Sequence, residues 1–167
     1  VGVFAGYASI FFVSVGFFAP IITRLVGVNP RDTYEGTLSE FAMPLGAWGG
    51  ISWAHPLGIE PGTGRDVFAL ALYGARTSFI VAIIAAVGTI AIGMLVGIAT
   101  GYFKGRVDSS VGRFADFLMS FPGTFMIIAL SLPMVQRIEA LGIANDNAAR
   151  LVVLVLFLVF FGWTGFY

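Results

Sequence analysis

The stretch Thr77-Ser78-Phe79-Ile80-Val81-Ala82-Ile83-Ile84-Ala85-Ala86-Val87-Gly88-Thr89-Ile90-Ala91-Ile92-Gly93-Met94-Leu95-Val96-Gly97-Ile98-Ala99-Thr100-Gly101-Tyr102-Phe103 contains no charged residue. A helix rises about 1.5 Å per residue, so roughly 20 apolar residues cross about 30 Å of hydrocarbon. This run is long enough to do so. Within it, Ile80 to Val87 is apolar at every position. A barrel strand would alternate apolar and polar residues, whereas a helix in lipid or in a bundle is apolar all round. Three further uncharged windows follow the same pattern, Val1–Thr23, Phe117–Gln136 and Leu151–Tyr167. The expected fold is all-α, a polytopic transmembrane helix bundle with spans over 1–23, 77–103, 117–136 and 151–167. A signal peptide is a poor reading of the first window, because no basic head precedes it.

Composition agrees. Of 167 residues, 58% are hydrophobic and 11% charged, and the mean hydropathy is +0.94. That leaves too little polar surface to cover a soluble domain and too much apolar surface for a disordered chain. Nine basic residues balance nine acidic ones, which excludes a broad basic footprint for nucleic acid. There is no cysteine, hence no disulfide, thiolate metal site or Cys nucleophile. The sequence begins Val1-Gly2-Val3 and ends Phe166-Tyr167 inside apolar runs, and we expect a piece of a longer polypeptide.

The connections differ in character. Arg24–Arg76 is long, with four Arg, five acids, Trp48, Trp53 and many Gly and Pro. Lys104–Asp116 is short and carries Lys104, Arg106 and Arg113. Basic linkers favour the cytoplasm. The expected path therefore starts inside, sends 24–76 out as an extracytoplasmic loop, returns at 104–116 and exits again at 137–150. Within the long connection, Arg65-Asp66 and the apolar run to Arg76 read as a short interfacial helix, with its charges as structural anchors.

Packing signals are clearest in the second span. Ala85, Thr89, Gly93, Gly97 and Gly101 recur every four residues, which aligns small side chains in one stripe. In lipid such stripes let backbones approach closely, within one subunit or between two. Pro122 either bends the third span from inside, freeing the carbonyl of Leu118, or sits harmlessly in a first turn. Pro133 lies near its far end. Arg113 and Asp116 are spaced to pair on a helix face, and Asp108 is placed to cap that helix.

Candidate chemistry is sparse. His55 is the only histidine, and a lone His beside Pro56 is a loop residue before it is a metal ligand. No Ser/His/Asp arrangement can be argued. The windows hold no Asp, Glu, Lys, Arg or His, which argues against a proton-driven carrier. There is no Gly-x-x-x-x-Gly-Lys-Ser/Thr phosphate loop. We therefore expect no catalytic, cofactor-binding or metal residues, and energy for any uphill transport must come from another chain.

Several stretches, taken in order, resemble one family. They are His55-Pro56-Leu57-Gly58, Gly64-Arg65-Asp66-Val67-Phe68, Leu72-Tyr73-Gly74-Ala75-Arg76-Thr77-Ser78, Gly101-Tyr102-Phe103-x-Gly105, Val107-Asp108, Arg113, Asp116 and Phe121-Pro122. They look like the C-type permease subunit of dipeptide/oligopeptide/nickel-type ABC importers, over about two-thirds of the chain. There are departures: Glu60 stands for the family's usual Asp, one residue is inserted before Gly64, and Gly112 replaces a Met. The resemblance implies a type I importer permease with four of an expected six spans, cut before the Glu-Ala-Ala coupling loop. Residues 77–167 would open the permease domain. The implied partners are a second permease subunit, two cytoplasmic ATPases, an extracytoplasmic substrate-binding protein and the lipid bilayer, in a bacterial inner membrane. Di- and oligopeptides are the implied cargo. Nickel, glutathione or another small solute is the alternative, and a membrane scaffold or assembly subunit without transport is the alternative of another class.

Overall fold

The computed structural model describes residues 2–166, and its regular secondary structure is helical. Six helices follow in order: α1 Gly2–Phe17, α2 Ala19–Val26, α3 Val67–Phe103, α4 Arg106–Ser120, α5 Gly123–Ala140 and α6 Asp146–Gly162, with short 3₁₀ turns between and after them. Only isolated β-bridges accompany them among the described residues. α3 and the α6 segment are each long and apolar enough to cross a membrane unaided; α1 with α2, and α4 with α5, qualify only as bent pairs. The count is two spans, or four if each pair crosses once.

Both bends fall inside uncharged windows, those at 1–23 and 117–136, and a proline stands at each. α1 and α2 meet at 65°. Pro20, in the first turn of α2, has no N–H to give the carbonyl of Gly16, so the ladder stops and restarts. The Phe18 N–H still bonds to Ser14, while the Phe18 carbonyl accepts from Ile21 and Ile22. α4 and α5 meet at 81°. Phe121 is extended at φ −85°, ψ 133°, as the residue before a proline prefers. Pro122 is the N-cap of α5, so it lies neither inside a helix nor in its first turn. The Leu118 carbonyl is not freed; it accepts the Phe121 N–H at 3.2 Å.

α3 also differs from expectation. No separate interfacial helix precedes it. The run from Val67 continues without a break through Arg76 into the apolar window. α4 starts at Arg106, after Lys104 and Gly105 turn the chain with positive φ. Asp108 therefore sits in the first turn of α4, and Gly105 holds the cap position. Among the described residues no ion pair joins Arg113 to Asp116.

The chain divides into two compact units, Val1–Ile80 and Val81–Tyr167, with the boundary inside α3. In the first, α1 comes close to α3 through Gly16. A Cβ there would lie 2.9 Å from the Phe79 ring and 3.3 Å from the Arg76 backbone nitrogen.

In the second unit, Val135 of α5 packs with Ala149, Val153 and Phe157 of α6. α6 opens on Asn145, whose side chain accepts the Ala148 N–H at 3.0 Å, and an Arg150–Asp146 ion pair spans its first turn. A second cluster joins Ala115 and Leu118 of α4 to Trp163, with Phe161 shared.

The α3 stripe meets α6 only over its first part. Ala85 and Thr89 are buried, and Thr89 sits 3.1 Å from the Cβ position of Gly162. A Cβ on Gly93 would lie 2.7 Å from Phe166 Cβ and 3.2 Å from the Trp163 carbonyl oxygen. At Gly97 and Gly101 a Cβ meets nothing within 4 Å.

Replacing Gly93 by Leu is therefore expected to destabilise the second unit by roughly 1–3 kcal/mol through overpacking, while Gly97→Leu leaves the isolated chain nearly unchanged. Thermal unfolding of both variants in detergent checks this; equal losses would contradict the packing described.

Candidate functional site

The densest polar network lies where the long connection meets α3. Asp66 is completely buried. Its Oδ1 accepts the Ala69 N–H at 2.7 Å, so it caps the longest helix and satisfies one of that helix's orphan donors. Its Oδ2 lies 2.8 Å from His55 Nδ1. With neutral imidazole, Nδ1–H donates to the carboxylate. The His55 ring in turn meets Tyr34 edge-on, with centroids 4.6 Å apart. One carboxylate thus ties His55, and through its ring Tyr34, to a helix N-terminus.

Backbone contacts reinforce the knot. The Tyr34 N–H donates to the Gly64 carbonyl at 2.8 Å, and the Val67 N–H to that of Gly58 at 3.1 Å. Bridges pair Thr33 with Arg65 and Ile59 with Asp66. Two glycines are required on geometric grounds. Gly58 has φ +78°, and a Cβ there would lie 2.4 Å from the Gly49 carbonyl oxygen. Gly64 has φ +71°, with Leu38 and the Tyr34 backbone 3.3 and 3.4 Å from its Cβ position. Only glycine takes such angles without penalty.

Beside them, the Arg65 guanidinium reaches Glu60 at 2.9 Å, and the Thr63 hydroxyl donates to the same carboxylate. The Thr63 and Arg65 hydrogen bonds hold the Glu60 carboxyl below its ordinary range. Its contribution to stability is present above the unfolded-state pKa and lost as pH falls through the lowered folded value. Arg65 and Glu60 are 40% and 36% exposed, so this pair is well screened and contributes little.

A buried His–Asp pair invites comparison with a catalytic dyad. Among the described residues, however, no hydroxyl bonds to the His55 ring; Ser52 Oγ accepts the His55 backbone N–H instead. No group of three or more metal-ligating side chains occurs among the described residues. The arrangement holds a loop and caps a helix.

The sequence-selected residues fall into two groups, one in each unit. His55, Pro56, Gly64, Arg65 and Asp66 belong to the knot or its rim; Gly74 and Arg76 follow on α3, where Gly74 faces open space. In the second unit, Asp108, Arg113 and Asp116 lie on α4, and Phe121 and Pro122 form its break with α5. Phe121 packs edge-on against Phe117 at 4.9 Å. Tyr34 was not legible as part of the site. It stands far from His55 in sequence, and no local pattern marks it.

Comparison with known proteins supplies the remaining observation. No family model and no solved structure matches the chain. Curated relatives do. The oligopeptide transport system permease protein OppC of Lactococcus lactis is 32% identical over 118 residues, 71% of this chain and 35% of that protein. The chain is homologous to importer permeases. The dipeptide transport system permease protein DppC of Alkalihalophilus pseudofirmus is 27% identical over 146 residues, 86% of this chain and 41% of its own length. The glutathione transport system permease protein GsiD of Pectobacterium atrosepticum is 36% identical over 96 residues, 58% of this chain and 30% of its own. The chain thus spans about a third of the length of the curated permeases it matches. These relatives are transport permeases, not enzymes.

The knot makes a direct expectation. Asp66→Ala removes a helix cap and strands His55, at a cost of roughly 1–3 kcal/mol. Limited proteolysis should then cut within residues 30–66 about tenfold faster, with Asp66→Asn intermediate because it keeps a capping oxygen. Unchanged cleavage in Asp66→Ala would show that the knot does not depend on this carboxylate.

Proposed function

We propose that the chain is part of a permease subunit of an ATP-driven importer, forming half of a translocation path for di- and oligopeptides in a bacterial inner membrane. The identity to OppC over 71% of the chain carries this reading. The helical architecture supports it, with α3 and α6 long and apolar enough to cross a bilayer. The sequence has no phosphate-binding loop, so hydrolysis falls to partner subunits. A second permease, two cytoplasmic ATPases and an extracytoplasmic binding protein complete the machine.

In this reading the chain moves no substrate by its own chemistry. Its helices supply a path wall, and the uncharged interiors of the spans suit a conduit gated by partner movement. α4 and its sharp turn into α5 provide a rigid element that a neighbour can push. The knotted connection after α2 lies on the delivering side, and its Asp66 cap passes any displacement of the loop directly to α3.

A second reading concerns cargo. The relative with the highest of the quoted identities is named for glutathione, a tripeptide thiol within reach of the same type of site.

The test is uptake by proteoliposomes carrying the full-length gene product with its neighbouring permease, ATPases and binding protein. Labelled dipeptide, oligopeptide and glutathione are offered in competition. Import is expected only with ATP and active ATPases, and the permease alone should hydrolyse none. Uptake by the permease alone would overturn the proposal. Purification as a stable complex without any ATPase would favour a scaffold.

A further inference from the structure

From Phe41 to Ile59 the connection between α2 and α3 carries no Asp, Glu, Lys or Arg, while Glu40 and Glu60 stand immediately on either side. This uncharged run is also where the largest rings stand open. Phe41 is 87% exposed, Trp48 89% and Trp53 101%, and Met43, Leu45, Ile51 and Leu57 are more than half exposed around them. Its single titratable side chain, His55, is turned inward onto Asp66. The knot therefore turns His55 inward onto Asp66 and, apart from the buried Ile59, leaves the large apolar side chains of the run outside.

Two further observations bear on what covers this surface. Trp48 sits in the left-handed region at φ 56°, ψ 35°, a conformation disfavoured for a bulky residue. A large ring held there and left exposed is presented outward. Just before the loop, α2 departs from α1 at 65°. With α1 in the membrane, such a bend turns α2 well away from the α1 axis, toward the membrane plane. α2 keeps Ala19 and Thr23 buried while exposing Phe18, Ile21 and Leu25, with Arg24 among them. Apolar side chains beside one snorkelling cation are the pattern of a helix lying in an interface.

We propose that α2 and the Phe41–Leu57 surface rest in the lipid–water interface, with Trp48 and Trp53 at the level of phospholipid headgroups. The inference rests on the membrane reading above. Indole is suited to that level, having an apolar body and one N–H donor. Lipid is the occupant the observations favour over a visiting protein. The loop is tethered at both ends to apolar helices, α2 before it and α3 after it, so its apolar surface continues the one those helices already show to lipid. A partner that docks and leaves would return the open rings to water at each departure, whereas lipid covers them continuously. The bent α2 would have no role in such docking. Lipid contact also accounts for the missing charges, since a charged side chain is costly below the headgroups.

The absence of cysteine makes a direct test available. Ala54→Cys, an exposed position that leaves both tryptophans in place, is labelled with an environment-sensitive fluorophore in the full chain and reconstituted in phosphatidylcholine vesicles. Leu156→Cys, on the open face of α6, reports independently on the spans. The label at 54 should be quenched by lipids brominated near the headgroup and shielded from aqueous iodide. Adding Trp48→Ala and Trp53→Ala to that chain should abolish the lipid quenching. Intrinsic tryptophan emission provides a second measure that needs no label. If the label at 156 is lipid-quenched while that at 54 meets iodide as freely as unattached dye, the interfacial loop is overturned and the membrane reading stands. If both labels meet iodide freely, both fall. Shielding at 54 that arises only when the substrate-binding protein is added would assign the surface to protein, against the proposal.

Discussion

In hydrocarbon a backbone N–H or C=O with no partner has no water to turn to, and every arrangement of this chain follows from that constraint. Long helices satisfy these groups within one segment, which is why α3 runs 37 residues without interruption. The helices break at Pro20 and at Pro122, whereas Pro133 stands inside α5 without ending it. Beside the first break the Phe18 carbonyl takes two N–H groups, and at the second the Leu118 carbonyl, which Pro122 cannot serve, takes one from Phe121. The second bend is thus a local repair that redirects the chain while keeping that carbonyl paired.

The same accounting explains the knot outside the helices. The start of a long helix exposes N–H groups that need acceptors, and Asp66 supplies one. Burying a carboxylate for this is costly unless its second oxygen is also engaged, and His55 engages it. His55 is in turn packed by Tyr34. The loop is folded because the helix beneath it needs a cap. This also explains why residues that look like a catalytic pair serve architecture here, and why the connection can keep its rings outside.

Much of this was legible in the sequence, and the remainder was hidden for identifiable reasons. Apolar windows at 77–103 and 151–167 located α3 and α6, because their composition leaves no alternative to a helix. The windows at 1–23 and 117–136 gave the apolar segments; the bend at Pro20 was not foreseen, and a bend at Pro122 was one of two readings, neither of which put it at the N-cap it occupies. Hydropathy averages over a proline, and the consequence of Pro20 or Pro122 depends on where the next helix restarts. α3 begins ten residues before its uncharged window, since one Arg near a helix end does not stop the helix. Small residues spaced by four marked a close-packing face. Composition could not say how far α6 covers it, and contact ends after Gly93. In the knot, His55, Gly64, Arg65 and Asp66 were singled out, while the Tyr34 contact is non-local and leaves no periodic trace. The class of machine was legible too, in the ordered motifs from His55-Pro56 to Phe121-Pro122, and the curated permease relatives bear that resemblance out.

Residue-resolved hydrogen–deuterium exchange of the chain in lipid nanodiscs tests the central constraint most directly. The account predicts one continuous block of slow amides through the interior of α3, a second through α6, and fast exchange confined to the connections and to the breaks at Phe18 and Phe121. Rapid exchange in the middle of α3, or uniform protection running straight through Phe121 from α4 into α5, would contradict it.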